Sequence, residues 1–416
     1  MSHDTVVIGA GLAGLTAALR LADDGRRVLV VARGVGATHL APATIDVLGF
    51  AGERVERAGQ ALPTFVDSRP DHPYAHLSAE AIEASIEWLK SRVPALGYRG
   101  GLEGNVLLPT AVGVAKPSAV VPETMAGGDL RAGGRFVFVG LKGLKDFYPA
   151  YLADNVGRVA GVSARAIEVA PRLGSEADVS SLGFARRFDE PGFRDAVVRR
   201  LAGQVEPDER VGFPAVLGLR HAGEVWRELE ARLERPVFEV ATLPPSVSGI
   251  RLFEAMTAAL RRAGGRIVIG PSVVGAETVD GRVDGVVAEA AARSTTYRAG
   301  SFVLASGGLA AGGIRVDSYG KIHEAVFDLA LAGLPAAEGR PPFLPTYLEE
   351  QPLDRVGVPV DDRLRPTDGD RRPRYENLHA VGAALAGAVP WQEASGNGLS
   401  LATGYAAAGA ILDGGS

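Results

Sequence analysis

The N-terminal part of the chain alternates short apolar runs with one amphipathic stretch, a pattern that predicts a strand, a helix and a second strand. Thr5–Ile8 is an apolar, β-branched run typical of a buried parallel strand. Leu15, Leu19 and Ala22 then share one helical face, and Val28–Ala32 forms a second apolar run. The pattern therefore indicates the start of an α/β domain.

Three glycines lie between the first predicted strand and the helix. Gly9, Gly11 and Gly14 have the G-x-G-x-x-G spacing of a nucleotide-binding turn. In such a turn the first glycine permits the tight bend, the second lets backbone approach a pyrophosphate, and the third lets the helix pack on the strand. The helix start also offers N–H groups and a positive dipole end to phosphate. We therefore predict nucleotide binding here, with a chance glycine-rich turn as the alternative.

The middle of the chain, residues 51–245, has no second fingerprint of this kind and is dense in proline and glycine. Its periodicity predicts a helix at Ser78–Arg92 with Ser78 as N-cap, a strand at Arg135–Gly140, and surface helices at Phe184–Leu201 and Glu224–Leu233. We interpret this region as an inserted α+β cap over a discontinuous core of residues 1–50 and 246–416.

The last part of the chain returns to the pattern of the core. The predicted elements are an amphipathic helix at Leu252–Ala263, a strand within Gly264–Gly270, a hairpin at Val273–Val287 about Asp280-Gly281, buried strands at Ser301–Gly308 and Leu378–Gly382, and a helix from Gly396 to about Leu412. Glycines at the start of the last helix free backbone N–H groups that can stabilise negative charge. A plain glycine-rich turn with Ser400 as a helix cap is the alternative.

Composition narrows the classes of function. The 416 residues suffice for two or three structural units, and 54 glycines with 46% hydrophobic residues fit an α/β enzyme rich in tight turns. A net charge of −5 without long basic runs gives no sign of nucleic acid binding. The absence of cysteine excludes disulfides, thiol catalysis and cysteine-held iron–sulfur clusters, and it suits a cytosolic protein. We expect neither a secretory signal nor a membrane span, since the uncharged stretch Ala394–Leu412 contains Asn397 and several hydroxyl residues.

The second predicted strand lacks the carboxylate that usually holds an adenosine ribose. Ala32 and Arg33 stand at its end, whereas Asp23 and Asp24 lie earlier, at the end of the helix, and cannot substitute. Arg33 is a candidate phosphate partner, with an ordinary solvated charge as the alternative. An arginine here also suits the 2′-phosphate of NADP, which keeps an NADP-dependent reductase open.

Two histidines have the spacing of metal ligands on a helix. His72 and His76 are four residues apart, but Pro73 follows the first and no third ligand stands nearby, so we predict no metal site. Further candidates for binding a phosphate-bearing substrate or for proton transfer, each more often structural than catalytic, are Arg251, Arg315, His323 and Tyr347.

Taken together, the N-terminal turn, Ala305–Gly308, Leu378–Gly382 and Gly396–Ser400 resemble the blocks of the two-dinucleotide-binding-domain flavoproteins. The resemblance implies an α/β fold with a Rossmann-like FAD/NAD(P)-binding core. It also implies that the loop after the second strand passes near the isoalloxazine, where His39 is the candidate for proton transfer and simple loop capping is the alternative. The flavin-binding residues that we predict are Gly9, Gly11, Gly14, Arg33, Thr38, His39, Thr44, Gly307, Gly308, Gly382, Gly396, Asn397, Gly398, Leu399 and Ser400.

A closer resemblance covers nearly the whole chain and is to the B-subunit family of anaerobic glycerol-3-phosphate dehydrogenase. It rests on Val30–Gly34, Gly140–Pro149, Thr242–Leu252 and Gly308–Ile314. The resemblance implies a flavoprotein of a three-subunit, quinone-linked complex of anaerobic respiration and glycerol metabolism. Such a complex oxidises glycerol 3-phosphate to dihydroxyacetone phosphate at the cytoplasmic face of the membrane. It implies FMN as cofactor, in agreement with the missing carboxylate at Ala32, and FAD remains the alternative.

We therefore expect a cytoplasmic or peripherally attached flavin oxidoreductase subunit. Its expected partners are a catalytic sister subunit and an iron–sulfur, membrane-anchoring subunit, because a chain without cysteine must pass its electrons to another protein. The second hypothesis is a non-catalytic flavin subunit that serves electron transfer and assembly. A third is the NADP-dependent reductase.

Overall fold

A computed structural model describes residues 3–171, 179–291, 293–335, 343–346 and 349–414. The chain divides into two compact units. The first unit comprises Met1–Ala37, Gly59–Arg92 and Met256–Ser416, and the second comprises Thr38–Ala58 and Val93–Ala255. Residues 59–92, which the sequence analysis assigned to the insertion, thus cluster with the first unit.

The helices and strands follow one another in chain order. The strands are β1 His3–Ile8, β2 Val28–Ala32, β3 Phe50–Ala51, β4 Glu53–Arg54, β5 Arg99–Gly100, β6 Val106–Pro109, β7 Ala115–Ser118, β8 Val120–Val121, β9 Gly134–Leu141, β10 Val162–Val169, β11 Glu209–Pro214, β12 Val237–Val240, β13 Arg266–Ile269, β14 Ser272–Val279, β15 Arg282–Ala290, β16 Arg293–Leu304, β17 Ile314–Val316, β18 Ile322–Glu324 and β19 Leu378–Ala380. The helices are α1 Leu12–Asp23, α2 Ala58–Ser68, α3 Ala79–Arg92, α4 Glu123–Ala126, α5 Pro149–Val156, α6 Ser181–Phe188, α7 Pro191–Leu201, α8 Ala222–Leu233, α9 Val247–Arg262, α10 Pro390–Glu393 and α11 Gly396–Asp413.

The main sheet of the first unit has the order β13-β2-β1-β16-β15-β14, and β19 also pairs with β16. The strands β13, β2, β1, β16 and β19 are parallel, and Val6 of β1 lies between Leu29 and Phe302. The connection that follows β1 leads to β2 on one side of β1, whereas the strand on the other side of β1 is β16. This reversal of direction is the place where open parallel sheets bind ligands. The expected α/β fold with a Rossmann-like core is confirmed.

The local predictions in the first unit are largely confirmed. The hairpin β14–β15 turns at Asp280 and Gly281, which have φ angles of 47° and 73°. The Ser78 hydroxyl caps α3 by accepting a hydrogen bond of 3.1 Å from the Ala81 N–H. The helix α11 runs from Gly396 as expected, and it packs along α1.

The main sheet of the second unit is wholly parallel, with the order β10-β9-β11-β12. Buried aromatic rings form its core, among them Phe136, Phe138, Phe213 and Phe238. This part of the chain is therefore α/β around its main sheet, whereas we expected α+β. The chain reverses direction between β9 and β11, so the second unit has a switch point of its own.

Two predicted helix boundaries are wrong. The stretch Phe184–Leu201 is two helices, α6 and α7, with buried faces, because Pro191 starts α7 and cannot continue α6. The helix predicted to start at Leu252 begins at Val247, where the Ser246 hydroxyl accepts the Gly249 N–H at 3.1 Å. None of the helices in the described ranges has both the length and the apolar character needed to cross a bilayer.

Candidate functional site

The turn after β1 contains three glycines. Two of them are packed closely against backbone atoms, and the third, Gly11, borders open space; we call it the open glycine. A Cβ built on Gly9, whose φ is 114°, would lie 2.2 Å from the carbonyl oxygen of Ala305, and one built on Gly14 would lie 2.2 Å from the carbonyl oxygen of Gly9. A Cβ on Gly11 would meet no atom of the described residues within 4 Å. Gly9 and Gly14 are thus required for packing, whereas Gly11 borders space that a ligand can fill.

The other glycine blocks of the first unit meet at the same edge of the sheet. A Cβ on Gly308 would lie 2.5 Å from the carbonyl oxygen of Ala383, and a Cβ on Gly382 would lie 2.8 Å from the Ala13 Cβ and 3.7 Å from the Ser400 Oγ. The Gly382 N–H donates a hydrogen bond of 2.9 Å to the Thr403 hydroxyl. The ends of β16 and β19 and the start of α11 therefore converge on the N-terminus of α1.

The start of α11 consists of glycine, asparagine and a buried leucine. Gly396, Asn397 and Gly398 form its first turn, and Leu399 is buried. Ser395 holds the N-cap position, and in the described structure its side chain makes no capping hydrogen bond to the helix. An N-terminus of this kind carries partial positive charge.

The loop after β2 runs directly against the open glycine. A Cβ on Gly36 would lie 2.8 Å from the Gly11 Cα, so this loop and the turn after β1 are in close contact. Ala32 is buried at the end of β2, and Arg33 is exposed beside it. Neither of these two residues is a carboxylate.

Thr38, His39 and Thr44 belong to the second unit, where they lie on a loop that is tied down at several points. The His39 ring packs edge-on against Phe253 at 4.8 Å, and within the described chain its buried Nε2 has no hydrogen-bond partner. Burial lowers the pKa of His39, against a smaller opposing effect of Glu254. The side chains of Thr38 and Thr44 are buried.

Lys116 braces the same loop and was missed in the sequence analysis. Its ammonium donates to the Thr44 hydroxyl at 3.1 Å and forms an ion pair with the Asp46 carboxylate. Because β7 places Lys116 about seventy residues from these partners, no local pattern predicts the contact.

The remaining candidates are engaged elsewhere or lie apart. Arg251 is buried in an ion pair with Glu239 at 2.7 Å and also donates to the carbonyl oxygen of Gly218, so its charge is balanced inside the second unit. Arg315 is exposed and donates to the carbonyl oxygen of Gly312. His323 lies on β18. Tyr347 lies outside the described residues.

The two histidines with metal-ligand spacing have separate partners. His72 Nε2 lies 3.2 Å from the Glu393 carboxylate, and His76 Nδ1 lies 3.0 Å from the exposed Asp362 carboxylate. Over the described ranges no group of three potential metal ligands occurs.

The switch point of the second unit is closed by the protein itself. The Asp189 carboxylate accepts hydrogen bonds from the backbone N–H groups of Leu219, Arg220 and His221, at 3.1, 3.2 and 3.3 Å. These N–H groups lie between β11 and α8, where a bound anion would be held in a nucleotide-binding turn. Asp189 takes that place.

Two observations indicate that the residues of the first unit fit a phosphate-bearing flavin. The space beside Gly11 would be filled by a Cβ, and at the end of β16 the buried Ser306 Oγ lacks a hydrogen-bond partner among the described residues. A glycine cradle and an unpaired buried hydroxyl at one sheet edge are features that a polar ligand satisfies.

Comparison with known proteins gives the same assignment. The chain matches the FAD binding domain family over residues 4–399. It is 33% identical over 433 residues to the probable B subunit of anaerobic glycerol-3-phosphate dehydrogenase from Halobacterium salinarum, covering 99% of this chain and 98% of the relative. It is 31% identical to the B subunit of the same dehydrogenase from Yersinia pestis, covering 96% of each chain. Among solved structures, it is similar to 3-ketosteroid delta1-dehydrogenase from Sterolibacterium denitrificans, with 13% identity, a TM-score of 0.49, and 99% and 100% of the two chains covered.

The resemblance found in the sequence is thereby confirmed at the level of the family. The chain is a flavoprotein oxidoreductase subunit that belongs to the FAD binding domain family and to the B-subunit family of anaerobic glycerol-3-phosphate dehydrogenase.

Proposed function

We propose that this chain is the flavin-carrying subunit of a dehydrogenase that oxidises glycerol 3-phosphate to dihydroxyacetone phosphate. The relatives' names supply the substrate. The observation that carries the proposal is the open space at Gly11, at the edge where the other glycine blocks converge. A bound flavin supplies a two-electron acceptor for the hydride that leaves an alcohol carbon.

The turn Gly9–Gly14 and the N-terminus of α1 would hold the phosphate of the flavin. Backbone N–H groups and the helix dipole act there on negative charge, and Arg33 beside the turn adds a positive charge. Gly307, Gly308 and Gly382 let the segments at this edge pack closely, since a Cβ on each would lie within 2.8 Å of a neighbouring atom, and we propose that their backbone borders the flavin. The start of α11, Gly396–Ser400, would stabilise negative charge on a bound flavin ring.

His39 takes the proton of the substrate hydroxyl in this proposal. Burial lowers its pKa, so the ring is neutral at pH 7, and its Nε2, which has no partner among the described residues, can accept a proton. As the hydride leaves the alcohol carbon, the hydroxyl proton moves to His39 and the carbon becomes a carbonyl. His39→Gln, which keeps a hydrogen-bonding side chain beside the flavin, should therefore slow substrate oxidation more than it lowers the flavin content.

FMN is the flavin that we propose, since Ala32 and Arg33 offer no carboxylate to an adenosine ribose. The family model is described as an FAD binding domain, so FAD is the competing form. Denaturing the purified protein and chromatographing the released flavin decides between the two. Release of stoichiometric FAD would show that the residues at the end of β2 do not indicate which flavin is bound.

We further propose that the electrons leave through an iron–sulfur, membrane-anchoring partner towards a quinone at the cytoplasmic face of the membrane. The subunit designation of the relatives and the absence of cysteine from this sequence support this route. A catalytic sister subunit completes the proposed complex.

The second candidate function is electron transfer and assembly without substrate oxidation. It is favoured by Arg251, a candidate for substrate phosphate that instead neutralises Glu239. Adding glycerol 3-phosphate to the isolated, flavin-loaded chain without oxygen separates the two functions. Bleaching of the flavin absorbance supports oxidation by this chain. A flavin that stays oxidised, but is bleached once the sister subunit is added, supports the relay.

A further inference from the structure

A buried carboxylate joins two distant segments of the first unit directly ahead of α11. Glu393 is only 3% exposed. Its Oε1 accepts hydrogen bonds from Arg69 Nη1 at 2.8 Å and from the Val389 N–H at 2.9 Å. Its Oε2 accepts from His72 Nε2 at 3.2 Å and from the Ser395 hydroxyl at 2.8 Å. Both oxygens are therefore fully engaged.

The hydrogen bonds fix the protonation of this cluster. His72 Nδ1 accepts the Tyr74 N–H at 3.1 Å, so the ring proton resides on Nε2 and is donated to Glu393. Burial acts to raise the pKa of the Glu393 carboxyl, but the hydrogen bonds from His72, Val389 and Ser395 hold it below its usual value. The carboxylate is thus ionised, and Arg69 balances its charge.

Glu393 holds the side chain of Ser395, the N-cap residue of α11, away from the helix. A serine at the N-cap normally accepts a hydrogen bond from an N–H group of the first turn. Ser395 holds that position, yet its hydroxyl donates to Glu393 and, in the described structure, does not cap α11. The next residue is Gly396, which has no side chain with which to cap. The N-terminus of α11 is therefore kept clear of the side chain that would ordinarily occupy it.

A buried ion pair is a costly way to stabilise a protein, because desolvation offsets most of its Coulomb energy. The stretch 377–412 contains Glu393 as its one charged residue, so this charge stands out in an apolar segment. We propose that Glu393, held by Arg69 and His72, is a positioning residue that turns Ser395 away and keeps the N-terminus of α11 open to the flavin. This inference rests on the proposed flavin site.

The test is a rescue by a second substitution. In Glu393→Ala, Ser395 is free to rotate onto the first-turn N–H groups, and we expect flavin affinity to fall about tenfold. Ser395→Ala alone removes the hydroxyl that competes for these groups, so affinity should stay within about twofold of wild type. The double variant, with no hydroxyl left to cap the helix, should recover most of the affinity.

The readouts are flavin dissociation constants from titration of flavin-free protein, the absorption spectrum of bound flavin, and the melting temperature of the flavin-free chain. His76→Gln is the matched control. This histidine lies four residues after His72, but its ring pairs with the exposed Asp362. If Glu393→Ala does not fold, Glu393→Met, which keeps the length of the side chain but offers Ser395 no oxygen, replaces it in both backgrounds.

Recovery of affinity and of the wild-type spectrum in the double variant supports the inference, since a merely structural loss would not be repaired by removing a second side chain. A double variant as weak as Glu393→Ala, or a Glu393 variant with normal affinity, overturns it. A wild-type chain that binds neither FMN nor FAD overturns the proposed function itself.

Discussion

The two units use the same kind of parallel sheet but treat its switch point in opposite ways. In the first unit the turn after β1 leaves open space beside Gly11. In the second unit the N–H groups between β11 and α8 are already taken by the Asp189 carboxylate. In the second unit a side chain of the protein satisfies these backbone N–H groups, whereas in the first unit we propose that a ligand does so.

The difference teaches that topology alone does not mark a binding site. Both sheets reverse direction between neighbouring parallel strands, at β1 and β16 in one unit and at β9 and β11 in the other. What distinguishes them is whether a side chain of the protein reaches the edge. Function therefore has to be argued from the residues at each edge, not from the fold.

The largest effect is expected from Gly14→Val, which tests the closed part of the glycine turn. A Cβ there would meet the Gly9 carbonyl oxygen at 2.2 Å, and backbone cannot move away without shifting β1 against α1. We expect the free energy of unfolding to fall by about 3 kcal/mol or more. Urea unfolding followed by circular dichroism measures it. Wild-type stability in this variant would mean that the helix does not pack on the strand as described.

Gly11→Val separates ligand binding from folding. The backbone at Gly11 is extended, with φ −70° and ψ 175°, so valine fits the conformation and its side chain points into open space. We expect flavin affinity to fall about a hundredfold or more while the far-UV circular dichroism is kept. Gly192→Val, at a glycine with equally open surroundings in α7, is the control and should leave flavin content unchanged. Full flavin content in Gly11→Val would place the phosphate elsewhere.

Gly11 and Gly14 also show how much of the fold and of the site could be predicted from the sequence. Strand, turn and helix from β1 to β2 follow from local spacing and apolar periodicity, as do the Asp280-Gly281 hairpin and the start of α11. The wholly parallel sheet of the second unit was missed because parallel pairing joins residues far apart in the chain. Glu393 was missed for the same reason, since its partner His72 lies 321 residues away. A single charge in an apolar segment was the available signal.

The first unit should also be the more sensitive to acid. His379 on β19 is 4% exposed, both of its ring nitrogens lack partners within the described structure, and burial lowers its pKa to about 4 from 6.5. Below pH 6.5 His379 is protonated in the unfolded chain, but in the folded chain it stays neutral until the pH approaches about 4. The free energy of unfolding therefore decreases as the pH falls towards about 4. We expect a loss of about 3 kcal/mol over this range.

Melting temperatures between these pH values test this expectation. His379→Leu should flatten the profile. His221→Gln, in which the exposed ring of the second unit is replaced, should not. A wild-type profile that is already flat would contradict the burial of an uncharged histidine in β19.

The smallest effect concerns the closed switch point of the second unit. Asp189→Ala leaves the N–H groups of Leu219, Arg220 and His221 without their acceptor, and we expect a loss of about 1.5 kcal/mol, since water can replace part of it. Flavin content should not change. Asp208→Ala, which breaks an exposed pair with Arg135, is the matched control with little loss. A loss of flavin in Asp189→Ala would show that the second unit's edge also serves the cofactor.

The central claim is that the first unit binds one flavin at its open glycine turn. Its most direct test is equilibrium titration of the flavin-free chain with FMN and with FAD, followed by flavin fluorescence, on wild type and Gly11→Val side by side. We predict saturation at one flavin per wild-type chain and a dissociation constant at least about a hundredfold higher for Gly11→Val. Equal binding to both proteins, or binding to neither, would contradict the account.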